Sequence, residues 1–210
     1  MDYFDLEGLN NSTLTQLKCE LEGSEFDTEA LRGAFDFGTL VDNALTEKWK
    51  LDFDSLQCDG IQFDKETWDL GMDCADKIRE SDIFSSFQKA GAKSQYIFIR
   101  TMDIDGSVKL KCKCKYDLLA KKIKSGADIK TTSCSSQSSF EKSITRLGYH
   151  RAAAFYMDIA RIDYFWFLAI SKVTKELFIY CIKRDDKLFI EGQQEYIDLC
   201  ISYNNLIANV

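Results

Sequence analysis

The stretch Lys111–Thr132, KCKCKYDLLAKKIKSGADIKTT, decides the fold. Side chains alternate between the two faces of a strand. In VKLKCKCKYDLL, Leu110, Cys112, Cys114, Tyr116 and Leu118 therefore share one face, which reads as core. Lys109, Lys111, Lys113, Lys115 and Asp117 share the other, a row of ammonium groups ending in a carboxylate. A Lys/Ser/Gly turn follows, then a second strand, ADIKTT, in which Asp128, Lys130 and Thr132 face one way and Ile129 the other. Pairing the polar faces of the two strands brings Asp117, Asp128 and Lys130 together.

That grouping has a chemistry. Hard cations such as Mg²⁺ prefer oxygen ligands, and Asp117 and Asp128 offer carboxylates while the carbonyl of Ile129 could add a third oxygen. A bound ion neutralises charge on a phosphate and activates water. Lys130 beside it could orient the water or stabilise developing negative charge. The catalytic candidates are Asp117, Asp128 and Lys130. The lysine row, Lys111, Lys113 and Lys115, would meet a nucleic-acid backbone. Asp-x-Lys on its own is a weak motif, and a solvated Asp–Lys pair across a lysine-rich hairpin gives the same pattern.

Outward from this segment, Asp105-Gly106 is a hairpin-turn dipeptide joining SQYIFIRTMDI to VKLKCKCKYDLL. Upstream, NNSTLTQLKCEL reads as a helix capped by Asn11 or Ser12. TEALRGAFDFGTLVDNALTE reads as a helix with Leu31, Phe35, Leu40, Val41 and Leu45 at apolar positions. KETWDLGMDCADKIRESDIFSSFQKAG reads as one helix or two, ending at Gly91. Downstream come a polar loop, a helix over about 140–161 with a Ser138/Glu141 capping box, the strands YFWFLAISK and ELFIYCIK, and a closing helix from Asp186. Phe35, Leu45, Trp166 and Phe178 read as core. The order implies an α/β fold with a central mixed β-sheet flanked by helices, over residues 1–210 as one domain.

The 210 residues carry 34 acidic and 27 basic side chains, a net charge of −7. Residues 109–130 hold eight lysines and two aspartates, +6, so the remainder carries −13. A basic island in an acidic body suggests a local polyanion site. The eight cysteines include no CxxC pair and there is one histidine, which argues against a zinc site or a disulfide framework. No apolar run approaches the roughly 20 residues that span a bilayer, and MDYFDLEGLNN lacks a signal-peptide pattern. The expected location is cytoplasmic, in a bacterial or phage-infected cell, with no membrane partner.

KCKCKYDLL, ADIKTT and SFEKSITRLGYHRAAAFYMD, in this order and spacing, resemble the catalytic core of the RecE (exodeoxyribonuclease VIII) group of PD-(D/E)XK nucleases, relatives of phage lambda exonuclease. FGTLVDNALTE is similar to that group's FGTxxHxxxxE helix, GAKSQYIFI to the segment before the catalytic hairpin, and FLAISKVTKELFIYCI to the later strand pair. The resemblance covers roughly residues 12–205. It implies Mg²⁺-dependent hydrolysis of linear duplex DNA, with Mn²⁺ as a possible substitute, in phage-type recombination. It also implies a single-strand annealing protein as partner and a homo-oligomer. Asp117 and Asp128 carry over as metal ligands and Lys130 as the catalytic lysine. Tyr156 carries over as the tyrosine of a Gln-x-x-x-Tyr motif, and Tyr149, His150 and Arg151 as the DNA-facing start of its helix. From the residues alone, Tyr156 at helical spacing from Tyr149 reads equally as core, and His150 as a packed or surface residue.

Three positions depart from the group. Asp42 stands where the group has histidine, and as a carboxylate it could serve as a further ligand. Lys93 stands at a frequently acidic position, and Ala152 at the Gln of Gln-x-x-x-Tyr. Two rival readings stay open: a catalytically reduced member that binds DNA or a protein partner, and a defence-type endonuclease.

Overall fold

A computed structural model describes residues 3, 5–24, 29, 31–106 and 108–208. Helices α1 (Asn11–Leu21) and α2 (Arg32–Thr46) come first. A small antiparallel sheet follows, made of β1 (Leu51–Asp52), β2 (Gln57–Cys58) and β3 (Ile61–Gln62). Next are α3 (Lys65–Arg79), α4 (Asp82–Lys89), β4 (Lys93–Asp103), β5 (Lys109–Ala120) and β6 (Ser125–Thr132). The chain ends with α5 (Gln137–Arg146), α6 (Tyr149–Ala160), β7 (Tyr164–Ser171), β8 (Leu177–Lys183) and α7 (Lys187–Ala208). The main sheet has the order β4-β5-β6-β7-β8, antiparallel except for the parallel pair β6–β7. It is a mixed α/β fold with the five-stranded sheet flanked by helices.

Each face of the sheet buries its own core. Cys112, Cys114, Tyr116, Phe165 and Phe167 pack on one side with residues of α1, α5, α6 and α7, including Leu14, Phe140, Phe155 and Tyr196. Leu118, Ala127, Ile129, Leu168 and Ile170 pack on the other against Phe37, Val41, Cys74, Ile78, Phe84 and Phe87 of α2, α3 and α4. In α2 the buried Phe37, Leu40, Val41 and Ala44 recur at helical spacing. Asp42 therefore rides on the half-buried flank of that stripe.

β5 and β6 pair only where Leu118, Leu119 and Ala120 meet Ala127, Gly126 and Ser125. Beyond that the sheet forks. β5 continues along β4, as far as Lys109 opposite Asp103, while β6 continues along β7. The β5 edge that β6 leaves is taken by the N-terminal segment. Leu9 N–H bonds to the Lys111 carbonyl at 2.8 Å, and Lys113 N–H to the Leu9 carbonyl at 2.8 Å.

Several details differ from the sequence reading. The N-cap of α1 is Asn10, whose side chain accepts from Thr13 N–H, rather than Asn11 or Ser12. For the second helix, Thr28 and Ala30 lie outside the described residues, and the helix begins at Arg32. The helix expected over 140–161 is two, because Gly148 takes φ +67 and turns the chain between α5 and α6. The capping box is formed by Ser136 and Ser139, not Ser138 and Glu141. Asp105 and Gly106 sit in a wider turn, closed by Ile104 N–H to the Val108 carbonyl at 2.8 Å. Phe178 is buried, Leu45 and Trp166 are half-buried, and Phe35 is half exposed, on the outer side of the α2 stripe. Five of the eight cysteines are buried and all are free thiols. Among the described residues no helix is long and apolar enough to cross a membrane.

Candidate metal centre at the fork of the sheet

The fork opens at Asp117 and Asp128, the first positions past the β5–β6 ladder. Asp117 turns its carboxylate across the gap, and Oδ2 accepts the Ile129 amide hydrogen at 2.7 Å. That amide would otherwise have bonded to a β5 carbonyl, so one side chain both ends the ladder and satisfies the donor left behind. Asp128 holds Lys130, Oδ2 to Nζ 2.6 Å, and both are half-buried. The Lys130 ammonium lies 5.5 Å from the centre of the Tyr149 ring, which stacks on Phe167. Asp42 enters from α2. Its two carboxylate oxygens accept the Gln95 amide at 3.0 and 2.9 Å, and Oδ1 also accepts the Thr46 hydroxyl at 3.2 Å. The same Gln95 nitrogen lies 3.4 Å from Asp117 Oδ1 and so links the two acids.

The electrostatics follow from three carboxylates in one partly dehydrated place. Burial, then Asp42 and Asp128, push Asp117 well above the usual carboxylate range. Burial raises Asp42 to about 6, opposed by the Thr46 hydrogen bond and the Lys115 charge. Burial alone would lower the Lys130 pKa, but Asp128, Tyr149 and Asp117 outweigh it and the net shift is upward, so Lys130 stays charged.

The donor set consists of carboxylate, amide and carbonyl oxygens, the chemistry of a hard divalent cation. Gln95 Oε1 is buried with no hydrogen-bond partner and adds an uncommitted acceptor oxygen next to these acids. The residues fit such an ion. They are not preassembled around one: among the described residues no three His, Cys, Asp or Glu side chains stand in ligand geometry. Gln95 N–H groups and the Lys130 ammonium occupy the directions in which the carboxylates would coordinate.

A family model for a PDDEXK-like domain of unknown function (DUF3799) matches residues 12–208. The chain belongs to that family. Asp117, Asp128 and Lys130 lie within the residues this PDDEXK-like model matches. The membership points to a nuclease-type fold, in which divalent metals are usual. No curated protein matches the sequence. Among solved structures, a phage-related exonuclease from Haemophilus somnus 129PT is 13% identical, with 97% of this chain and 96% of that chain covered and a TM-score of 0.47. The protein SSO0001 is 13% identical, with 93% and 88% covered and a TM-score of 0.40.

The structure brings Asp42, Asp117, Asp128, Ile129 and Lys130 together, with Tyr149 alongside. Other candidate residues of the PDDEXK-like chain sit elsewhere. His150 and Arg151 are buried. His150 Nε2 is 3.2 Å from Glu195, and Arg151, 2% exposed, binds Glu195 at 3.0 Å, Asn11 at 3.2 Å and Thr15 at 2.6 Å. They tie α6 to α7 and α1, because the helix start packs inward. Tyr156 packs edge-on against Tyr116 and Phe165, on the core side. One member of the lysine row is covered while Lys109 and Lys111 stay exposed. Lys113 is 4% exposed and gives its ammonium to the Tyr3 and Leu6 carbonyls, at 3.0 and 2.5 Å, over the Tyr3 ring. Lys111 pairs with Glu7 at 3.1 Å. Lys115 remains near Asp42.

Lys93 is exposed opposite Leu119, and the β4 residue that reaches the cluster is Gln95. Gln95 was missed, although a signal existed. Counted outward from Gly106, Gln95 and Asp117 are equidistant, so a hairpin centred there sets them opposite. Gln95 takes φ +49, an uncommon conformation for a residue other than glycine.

Proposed function

We propose that this chain is a metal-dependent deoxyribonuclease that hydrolyses phosphodiester bonds of linear duplex DNA, acting as an exonuclease with Mg²⁺ and able to use Mn²⁺. The observation that supports it is the fork, where two aspartates and a charged lysine meet at the end of a broken strand ladder. Asp117 and Asp128, with Asp42 and the Ile129 carbonyl, would hold the ion. When bound, such an ion supplies positive charge at the scissile phosphate and favours attack by water.

The chain's own groups do the rest. Ile129 N–H fixes the Asp117 carboxylate, so its free oxygen keeps one direction. Lys130, protonated and held at Asp128, donates hydrogen bonds to a phosphate oxygen as negative charge grows on it. The Tyr149 ring backs the ammonium and limits its motion. Lys115 offsets part of the charge on Asp42. As parts of the same reading, residues 1–210 act as one domain, in phage-type recombination in the cytoplasm, as a homo-oligomer with a single-strand annealing partner.

End-labelled linear duplex and a circular duplex, each with Mg²⁺, Mn²⁺ or EDTA, test this reading. Degradation of the linear form alone, abolished by EDTA, is expected. Nicking or cutting of the circle would make the chain an endonuclease. A second reading, a catalytically reduced binding protein, is favoured by Gln95 among the acids. Binding of linear DNA without degradation under any metal would establish it.

A further inference from the structure

A cleft of about 640 Å³ opens where the outer half of β4 meets the end of α6 and the middle of α7. None of its lining residues belongs to the fork. Four cations line it, Arg100, Lys124, Arg161 and Arg184, with three acids, Asp103, Asp158 and Asp163. The acids are already engaged. Asp158 accepts Arg184 on one oxygen and, on the other, Gln193 at 2.7 Å and Tyr196 at 2.6 Å. Asp163 pairs with Lys124 at 3.1 Å and Arg184 at 3.7 Å. Asp103 accepts the Gly106 amide at 2.7 Å.

That pairing uses up Lys124 and Arg184 and leaves two guanidinium groups. Among the described residues Arg100 reaches the Asp158 carbonyl, at 3.4 Å, and the Phe98 ring. Among the described residues no carboxylate lies within ion-pair distance of Arg100 or Arg161. Burial, and then the Arg161 charge, lower the Arg100 pKa, so the two cations feel each other. Arg161 closes α6 at φ +54, where glycine fits with less backbone strain. Two unneutralised guanidinium groups lining one cleft of ligand-binding size offer the donors and charge that a phosphate's oxygens accept. Met102 and Ile197 supply an apolar wall beside them.

We propose that this cleft binds a phosphate-bearing small molecule of mononucleotide size, its phosphate held between Arg100 and Arg161. The proposal is independent of nuclease activity. Isothermal titration in EDTA tests it, which removes any contribution from metal at the fork. The probes are inorganic phosphate, a deoxynucleoside 5′-monophosphate and the matching nucleoside. The proteins are the parent, Arg100→Gln and Arg161→Gly, the last keeping the helix end while deleting the guanidinium, with folding checked by thermal melting. The monophosphate should bind the parent and the nucleoside should not, and each substitution should weaken binding about tenfold. Inorganic phosphate as tight as the monophosphate supports a site that reads the anion alone, and a tighter monophosphate supports one that reads the nucleoside as well. No binding of either anion to the parent, or unchanged affinity in both variants, overturns the proposal.

Discussion

At the residue scale, Glu195 shows how a charged group can be structural while carrying residue types that read as functional. Its carboxylate is held down to about 2 by the His150 hydrogen bond first, then Lys18 and Arg151. A depressed folded-state value means the carboxylate stabilises the fold above about 4.5, and that this is lost as pH falls toward about 2. Glu195→Gln should cost roughly 2–3 kcal/mol at neutral pH. It should also flatten the acid limb of stability, as measured by denaturant unfolding at several pH values. Asp42 has the opposite sign. Its raised value, about 6, means its proton stabilises the fold at low pH, and this is lost as pH rises from about 4 through about 6. Without divalent metal, Asp42→Asn should gain about 1–3 kcal/mol at pH 7 and lose that pH dependence. Unchanged pH profiles would contradict either assignment. The burial of His150 and Arg151 was not legible in GYHRAAAFY, because their partner Glu195 lies 44 residues beyond Arg151 and nothing local announces it.

At the element scale, β5 and β6 were legible from alternation and charge as far as Tyr116; past it the face changes, Leu118 packing in the opposite core and Leu119 with Tyr116, and Ser125 and Gly126, read as turn, already belong to β6. What hid were features set by distant chain. The two-residue strands β1–β3 are too short to carry a period, and the break at Gly148 interrupts an apolar spacing that continues through it. The cover over Lys113 is equally non-local: it bonds to carbonyls more than 100 residues away. Lys113→Gln should therefore lower stability by about 1–3 kcal/mol and leave the salt dependence of DNA binding unchanged. A shallower salt slope in that variant would restore it to the DNA face. The α6–α7 crossing is tight at Gly192, where an added Cβ would lie 2.4 Å from the His150 carbonyl oxygen. Backbone cannot yield there as a side chain tip would. Gly192→Ala should cost about 2 kcal/mol or more and lower the melting temperature by about 5 °C or more. A melting curve matching the parent's would show that the helices can separate freely.

At the scale of the whole molecule, one parallel strand pair in an otherwise antiparallel sheet organises the site. β6 leaves β5 to run with β7, and the acids collect where it departs. The mixed sheet and its flanking helices could be read from the order of elements. So could the meeting of Asp117, Asp128 and Lys130, since it depends on strand register. The N-terminal cover over Lys113 could not be read that way, because it depends on how a distant segment docks on β5. The central claim is that this fork hydrolyses DNA. It is tested most directly by the rate of labelled-nucleotide release from linear duplex by the parent and by Lys130→Ala, at equal protein and with Mg²⁺ or EDTA. The account predicts release by the parent only with Mg²⁺, and a fall of at least about a hundredfold in the folded variant. Equal rates for the two proteins would contradict it.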